Sequence, residues 1–153
     1  MLRLRLSLTE GQKERDVADY KGPVPQPTPE TKPYWEGLRQ GKLMIQRCKK
    51  CHKAYFYPRP VCPHCHSWEI EWFQASGKGK LYSYNINYRP PPYMGTAPTV
   101  IAMVELEEGP RLMSNLIEVE PDPGKIKCDA PVELAFKKLT EEIMLPQFRL
   151  AKR

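Results

Sequence analysis

The sequence has no continuous apolar run long enough for a membrane-spanning helix. Such a helix needs about 18 to 20 apolar residues in a row, and none of these 153 residues begins a run of that kind. The amino terminus, Met1–Leu8, alternates polar residues with leucine and so lacks the apolar core of a signal peptide. We therefore expect a cytoplasmic chain with reduced cysteines and no membrane partner.

Motifs that carry chemistry of their own are also missing. The sequence contains no G-x-S-x-G, P-loop or dinucleotide-binding fingerprint, and Gly77-Lys-Gly79 alone predicts only a turn that breaks the chain. Its 3 histidines all lie beside other cysteines, far from Cys128. Because Asp129 opposes thiolate formation at Cys128, we predict a buried, inert thiol there and no catalytic residue in this chain.

Positive charge is scarce in the second part of the chain. Residues 1–60 hold 13 Lys and Arg against 6 Asp and Glu, a balance of +7, whereas residues 61–153 hold 11 against 12, a balance of −1. A barrel that binds single-stranded nucleic acid stacks bases on aromatic rings over a basic groove, and Tyr82, Tyr84 and Tyr88 supply only the rings. Phosphate neutralisation supplies most of the affinity for nucleic acid, and this part of the chain has no excess of positive charge. Single-stranded nucleic-acid binding is therefore kept as the alternative function and not as the main one.

The chain does contain two C-x-x-C pairs, Cys48–Cys51 and Cys62–Cys65, separated by ten residues. Each pair forms a tight turn with both thiolates directed at one centre, and two such turns make a tetrahedral four-sulfur site that suits Zn²⁺. Iron fits the same four sulfurs, and the spacing does not separate the two metals. The pattern therefore predicts a structural zinc ribbon with no open coordination position for catalysis.

A histidine follows each pair, so that C-x-x-C-H, the attachment signal of a c-type haem, occurs twice. Haem attachment and structural disulfides both require export, for which the sequence has no signal. Haem and disulfides thus remain the lesser alternatives to zinc. Since four thiolates complete the site, we expect His52, His64 and His66 to be surface residues or hydrogen-bond donors near the sulfurs.

Hydrophobic periodicity predicts a mainly β chain. Residues 1–33 are predicted as an extended, proline-rich N-terminal segment, 34–74 as a short helix and zinc ribbon, and 75–153 as a five-stranded OB-fold barrel, with a small sandwich as the rival. The helix is predicted at 34–40, and the strands at 42–47, 54–57, 68–73, 81–88, 99–106, 111–119, 132–139 and 143–150. Alternation in the strand at 81–88 places Tyr82, Tyr84, Ile86 and Tyr88 on one face.

Several pieces of the sequence together resemble a known family. The pieces are Tyr34-Trp35-Glu36-Gly37-Leu38, Gly41-Lys-Leu43, the four paired cysteines, Tyr57-Pro-Arg-Pro60, Gly77-Lys-Gly79-Lys-Leu-Tyr-Ser-Tyr84, Val132-Glu-Leu134 and Leu145-Pro-Gln-Phe148. Over about residues 29–148 they resemble the acyl-CoA-associated family of zinc-ribbon plus OB-fold proteins, the small accessory subunits of thiolase-fold enzymes. One departure is Cys128-Asp129-Ala130, since the family often has glycine before its final strands.

This resemblance implies a subunit without catalytic residues in a thiolase or acyltransferase complex. Family members bridge a thiolase and a hydroxymethylglutaryl-CoA-synthase-like enzyme, pair with aldolases that shorten steroid side chains, or serve the thiolase for benzoylsuccinyl-CoA. The resemblance implies that the partner holds the catalytic cysteine and histidines, in a heterotetramer. The small chain would stabilise the partner and line the path of the coenzyme A thioester.

The candidate contacts to coenzyme A are of two kinds. Cations at predicted turns and strand ends would bind the phosphates of coenzyme A. Tyrosines around the proline-rich loop 89–98 would contact the pantetheine arm or line the acyl pocket. These candidates are Arg59, Lys78, Lys80, Tyr88, Arg89 and Tyr93. Each is equally consistent with an ordinary residue at a strand end. Because interface cores favour aromatic residues, Met and Arg, we expect the ribbon and loop 89–98 to contact the partner.

Overall fold

Strands make up most of the regular structure in residues 20–151, the part of the chain that this computed structural model describes. Residues 1–19 of the predicted extended segment 1–33 lie outside the described residues. The elements are α1 (Lys32–Arg39), β1 (Met44–Cys48), β2 (Ala54–Tyr55), β3 (Ile70–Gln74), β4 (Lys78–Asn87), a 3-10 turn (Pro92–Met94), β5 (Thr99–Leu106), β6 (Arg111–Leu116), β7 (Pro131–Lys138) and β8 (Met144–Leu150). Within these residues, no helix has the length and apolar character of a membrane span.

Five strands close into a barrel in the order β4-β5-β6-β8-β7. Neighbouring strands are antiparallel except β6 and β8, which run parallel where Leu116 lies opposite Phe148. Burial alternates strictly along β5, as expected for a strand with one face in the core. The prediction of a mainly β chain with a five-stranded C-terminal barrel is confirmed, and the rival sandwich is wrong because β7 also pairs with β4.

The helix joins the ribbon to the barrel through one core. Strands β2, β1 and β3 form a three-stranded antiparallel sheet, with β1 in the middle. Leu38 of α1 and Ile45 of β1 are fully buried and belong to the same hydrophobic cluster as Phe148 of the barrel. Burying a leucine side chain contributes roughly 2 kcal/mol. The base of the ribbon is therefore supported by the barrel, whereas its cysteine-bearing end is not.

Strand β4 begins three residues earlier than predicted, so Gly79 lies within the strand. A Cβ atom at this position would collide with the carbonyl oxygen of Glu105 on β5. Glycine is thus required for close approach of the two strands. The prediction that Gly77-Lys-Gly79 breaks the chain is correct only for Gly77, whose φ of +75° makes the turn.

A β-bulge at Tyr82 changes which side chains of β4 face the core. The pairing with β5 shifts between Leu81 and Ser83, so Leu81 is fully buried and Tyr82 is exposed. Tyr84 and Ile86 pack against the core. The prediction that Tyr82, Tyr84, Ile86 and Tyr88 share one face is confirmed for Tyr84 and Ile86. It is wrong for Tyr82, because the bulge adds one residue and resets the alternation, and for Tyr88, which follows the end of the strand.

Two other strands are shorter than predicted. The strand β2 has only two residues, and the chain leaves it before Pro58, which lacks a backbone donor for the ladder. The strand β6 ends at Leu116, and Glu118 then takes a left-handed conformation with φ +57°. Helix α1 begins at Lys32, two residues before its predicted start, because proline is tolerated in a first helical turn.

Candidate metal centre and ligand-contact residues

The first cysteine pair lies at the end of β1 and forms a tight backbone turn. The amides of Lys50 and Cys51 donate to Cys48 Sγ at 3.3 and 3.4 Å. The amide of His52 donates to the carbonyl oxygen of Cys48 at 2.9 Å and closes the turn. These bonds direct the sulfurs of Cys48 and Cys51 to the same side.

The second pair repeats this geometry. The amide of His64 donates to Cys62 Sγ at 3.4 Å, and that of His66 donates to the carbonyl oxygen of Cys62 at 2.9 Å. Cys62 is fully buried, as Cys48 is in the first pair. Two equivalent turns therefore face each other across one centre.

The four sulfurs have the separation that a tetrahedral metal site requires. Cys48 Sγ lies 3.5 Å from Cys65 Sγ, and Cys51 Sγ lies 3.7 Å from Cys62 Sγ. All four ligand atoms lie within 4.8 Å of one another. Zinc–sulfur bonds of about 2.3 Å in a tetrahedron place the sulfurs about 3.8 Å apart, whereas a disulfide is about 2.05 Å long. The geometry fits Zn²⁺ and excludes the disulfide alternative.

The charges at this centre favour a bound cation. The amide of Cys51 and, to a smaller extent, that of Lys50 lower the pKa of Cys48 to about 6, against the effect of burial. The backbone amide of Ser67 favours the Cys65 thiolate, but burial and the neighbouring sulfurs raise the pKa of Cys65 to about 12. Thiolates this close together repel one another, and a bound dication such as Zn²⁺ compensates that charge.

The histidine after each pair has a backbone role. His52 and His66 both have φ +59°, and both side chains are exposed. This left-handed conformation favours glycine, and histidine is among the residues that tolerate it. The repeated C-x-x-C-H pattern is therefore explained by two identical turns, without haem. His64 is exposed as well, so the prediction of surface histidines is confirmed.

Replacing both His52 and His66 with glycine is expected to leave one metal ion per chain and to shift the melting temperature by only a few degrees. Relief of left-handed strain, worth about 1 kcal/mol per site, offsets the added flexibility of the unfolded chain. His64→Gly is the matched control, because it adds flexibility without relieving strain and should lower stability. Elemental analysis and calorimetry check both variants. Loss of the metal from the double variant would show that the imidazoles are ligands.

Arg59 is held on a fixed backbone beside this centre. Its amide donates to Gln46 Oε1 at 2.7 Å, and its carbonyl oxygen accepts from the Tyr55 hydroxyl at 3.2 Å. Gln46 and Tyr55 are both buried, and Tyr55 packs against Cys48 and Cys62. The Arg59 side chain is exposed and forms no ion pair within residues 20–151. Sequence reasoning missed Gln46, whose one signal is a polar residue inside an apolar strand.

The two lysine candidates differ in their surroundings. Lys80 Nζ lies 3.1 Å from Glu105 and 3.7 Å from Asp129. The hydrogen bond to Glu105 raises the pKa of Lys80 above its usual value, with a further contribution from Asp129. A phosphate would have to displace these carboxylates. Lys78 is exposed, and the described part of the chain offers it no ion pair.

Tyr88, Arg89 and Tyr93 lie at the other end of β4 from the two lysines. This strand has ten residues, so its ends are about 30 Å apart. Tyr93 stacks edge-on against Tyr20 with 6.0 Å between ring centroids, which places the described N-terminal segment on loop 89–98. The six candidate residues are therefore spread along the molecule and do not form one patch.

Cys128 is exposed, so the prediction of a buried thiol is wrong. It lies in the turn before β7, where Ile126 takes the buried position. Asp129 follows with φ +62° and donates its amide to the carbonyl oxygen of Leu81 at 2.8 Å. Aspartate tolerates this left-handed conformation, which explains how the chain makes this turn without the expected glycine. No hydrogen bond within residues 20–151 joins Cys128 to a base.

Two family models match the chain in succession. Residues 35–71 match the model described as "ChsH2, rubredoxin-like zinc ribbon domain". Residues 72–137 match "ChsH2, C-terminal OB-fold domain". A solved structure entitled "Ltp2-ChsH2(DUF35) aldolase" is similar with a TM-score of 0.75 and 37% identity, covering 84% of this chain and 100% of that one.

Curated proteins show the same similarity. A "DUF35 domain-containing scaffold protein" of Pyrococcus furiosus is 39% identical over 71% of this chain and 79% of its own length. "Benzoylsuccinyl-CoA thiolase subunit BbsA" of Thauera aromatica is 38% identical over 58% of each chain. A "Probable enoyl-CoA hydratase alpha subunit" of Thermomonospora curvata is 37% identical over 99% of this chain. The chain spans about half of that relative, since the match covers 46% of it.

Proposed function

Because the chain belongs to the ChsH2/DUF35 family of zinc-ribbon and OB-fold proteins, we propose that it is a non-catalytic accessory subunit of a thiolase-type enzyme complex that acts on an acyl-CoA. Relatives named as a thiolase subunit and as part of an aldolase support this proposal. The observation that carries it is the closed four-sulfur centre, which leaves no coordination position for a substrate. The partner then supplies the nucleophile and base.

The ribbon and loop 89–98 are the proposed contact surfaces. Trp68 near the second cysteine pair is 73% exposed, and Tyr57 between the two pairs is also exposed. Tyr93 and Met94 are exposed in the loop. Aromatic and Met side chains are enriched in interface cores, and Trp and Tyr in binding hot spots. Proline-rich segments such as this loop lose little conformational freedom when they dock.

Arg59 is the proposed contact for a phosphate of coenzyme A. Its fixed main chain lowers the entropic cost of placing the guanidinium, and charge-assisted bonds from arginine to phosphate are strong. Arg89, which follows the end of β4, is the second proposed phosphate contact. The proposed substrate is an aromatic or steroid acyl-CoA, benzoylsuccinyl-CoA being one example, in a cytoplasmic heterotetramer with two copies of this chain.

The nucleic-acid alternative gains no support from the barrel surface. Arg111 lies over the ring of Tyr82 at 3.6 Å from its centroid, so one face of that ring is covered. The Arg111 Nε donates to Glu105 at 2.7 Å, and Lys80 pairs with the same carboxylate. Lys80 and Arg111 are thus already paired with a carboxylate, and a base could stack on only one face of the Tyr82 ring.

We expect a thiolase-fold enzyme of the same organism to need this chain for full activity. Turnover of an acyl-CoA and the melting temperature of the enzyme would be measured with and without the chain. The expected result is higher turnover and a higher melting temperature in its presence, with no turnover by the chain alone. If adding the chain changed neither the turnover nor the melting temperature of the enzyme, the proposal would be contradicted.

A further inference from the structure

The described part of the N-terminal segment contacts loop 89–98 through two tyrosine rings. Tyr20 lies edge-on against Tyr93, with 6.0 Å between the ring centroids. The Tyr20 hydroxyl donates to the carbonyl oxygen of Pro23 at 3.2 Å, which closes a short turn around Gly22. We call the contact among Tyr20, Gly22 and Tyr93 the clasp.

Gly22 is the residue that permits this contact. A Cβ atom at this position would collide with the Tyr20 hydroxyl oxygen and with Cδ2 of the Tyr93 ring. Non-bonded carbon atoms pack at about 3.5 to 4.0 Å, so any residue other than glycine would push at least one ring away. Because both atoms belong to side chains that can move, such a change would open the clasp and leave the barrel folded.

The clasp attaches an exposed loop to the core of the molecule. Residues 92–98 are all exposed, and the regular structure of loop 89–98 is one 3-10 turn at Pro92–Met94. Tyr20, by contrast, is partly buried and packs against the main hydrophobic cluster. Contact with Tyr20 therefore gives the Tyr93 ring a support outside its own loop. Tyr93 is still 40% exposed, so the clasped ring has surface left for a partner.

We propose that Tyr20 is a positioning residue, and that the clasp holds loop 89–98 in the conformation that docks on the thiolase-type partner. The inference rests on the proposed function, in which this loop is a contact surface. A segment that is ordered before it binds loses less conformational entropy on docking. Without the clasp, the loop would have the docking conformation in only a fraction of the molecules, and the apparent affinity would fall by that fraction.

The first test measures the order of the loop in the free, zinc-loaded chain. Backbone order parameters of Met94 and Gly95 would be measured by NMR, since both amides donate within the 3-10 turn. We expect values of about 0.85 in the parent chain and below about 0.6 in Gly22→Ala and in Tyr20→Ala. Order parameters of the barrel strands should not change, which shows that both variants are folded. Parent values retained at Met94 and Gly95 by either variant would overturn the proposal.

Two further variants are matched controls. Gly124→Ala makes the same substitution in the connection before β7, where a Cβ atom would meet only the side chain of Asp122, so the order of the loop should not change. Tyr20→Phe keeps the ring and removes only the hydroxyl, whose bond to Pro23 is exposed, so the loop should stay ordered. Loss of loop order in Gly124→Ala, or a loss in Tyr20→Phe equal to that in Tyr20→Ala, would contradict the role of the ring contact.

The second test measures docking on a thiolase-fold enzyme of the same organism by surface plasmon resonance. Gly22→Ala should slow association about tenfold if about one molecule in ten keeps the loop in the docking conformation. Dissociation should be unchanged, because the docked loop makes the same contacts. Tyr93→Ala should also speed dissociation, because it removes a contact residue. Association at the parent's rate by a variant whose loop has lost its order would overturn the positioning role.

Failure of this inference and failure of the proposed function give different results. If the parent chain binds the enzyme and Gly22→Ala binds with the same rates, the positioning role is wrong and the accessory role stands. If the parent chain does not bind the enzyme, the accessory role and the docking role both fail. The order parameters of the free chain decide in either case whether the clasp orders the loop.

Discussion

Cys51→Ser is expected to abolish metal binding and to unfold the cysteine-bearing end of the ribbon. The buried cluster there consists of Cys48, Tyr55 and Cys62, so its core is made largely of the ligands themselves. Metal binding supplies about 10 to 16 kcal/mol in comparable small zinc domains, far more than this cluster can supply by burial. We expect elemental analysis to find no metal and hydrogen exchange to show rapid exchange of the amides that close the two cysteine turns, those of His52 and His66.

Cys128→Ser is the matched control for this prediction. It removes the fifth cysteine, which is exposed in a turn and far in sequence from the centre. Metal content, melting temperature and enzyme turnover should all remain at their parent values. In Cys51→Ser the barrel amides should stay protected, because the barrel has its own closed ladder. A metal ion retained by Cys51→Ser, or lost from Cys128→Ser, would contradict the assigned ligands.

Trp68→Ala is expected to weaken the complex with the thiolase-fold partner by about 2 kcal/mol or more, which is about thirtyfold in affinity. Trp68 is 73% exposed in the free chain, so its removal should cost the isolated chain little stability. Its large apolar surface would be covered only by the partner. Affinity is measured by surface plasmon resonance, and metal content and melting temperature show that the variant is folded.

Met113→Ala is the control for this second substitution. Met113 is 71% exposed, nearly as much as Trp68, but it lies on the outer face of the barrel on β6. If the ribbon forms the contact, Met113→Ala should leave the affinity unchanged. If Met113→Ala reduced the affinity more than Trp68→Ala did, the interface would lie on the outer face of the barrel and not on the ribbon.

The metal centre and the succession of strands along the chain are largely local properties, and the sequence predicts them well. Two C-x-x-C pairs dictate two turns regardless of context, and Thr99–Leu106 alternates so regularly that its predicted bounds agree with the structure. The strand pattern also predicted an OB-type barrel, and the resemblance to a known family agreed with it. Its matched pieces fall on α1, the ribbon and the barrel strands.

Features that depend on the pairing of distant strands could not be read from the sequence. The bulge at Tyr82 and the need for glycine at 79 both arise from contact with β5, which begins twenty residues after Gly79. A cleft at one end of the barrel is likewise lined by residues distant in sequence, among them Thr99 of β5 and Gln147 of β8. Cys128 was misjudged because free cysteine is usually buried, whereas here the turn before β7 buries Ile126 instead.

The molar mass of the co-expressed assembly tests the accessory role most directly. The chain would be produced together with a thiolase-fold enzyme of the same organism, purified through a tag on the enzyme, and measured by light scattering. The expected mass is that of the enzyme dimer plus two chains of 17.8 kDa. An enzyme dimer that purifies alone, with this chain recovered separately at 17.8 kDa, would contradict the account.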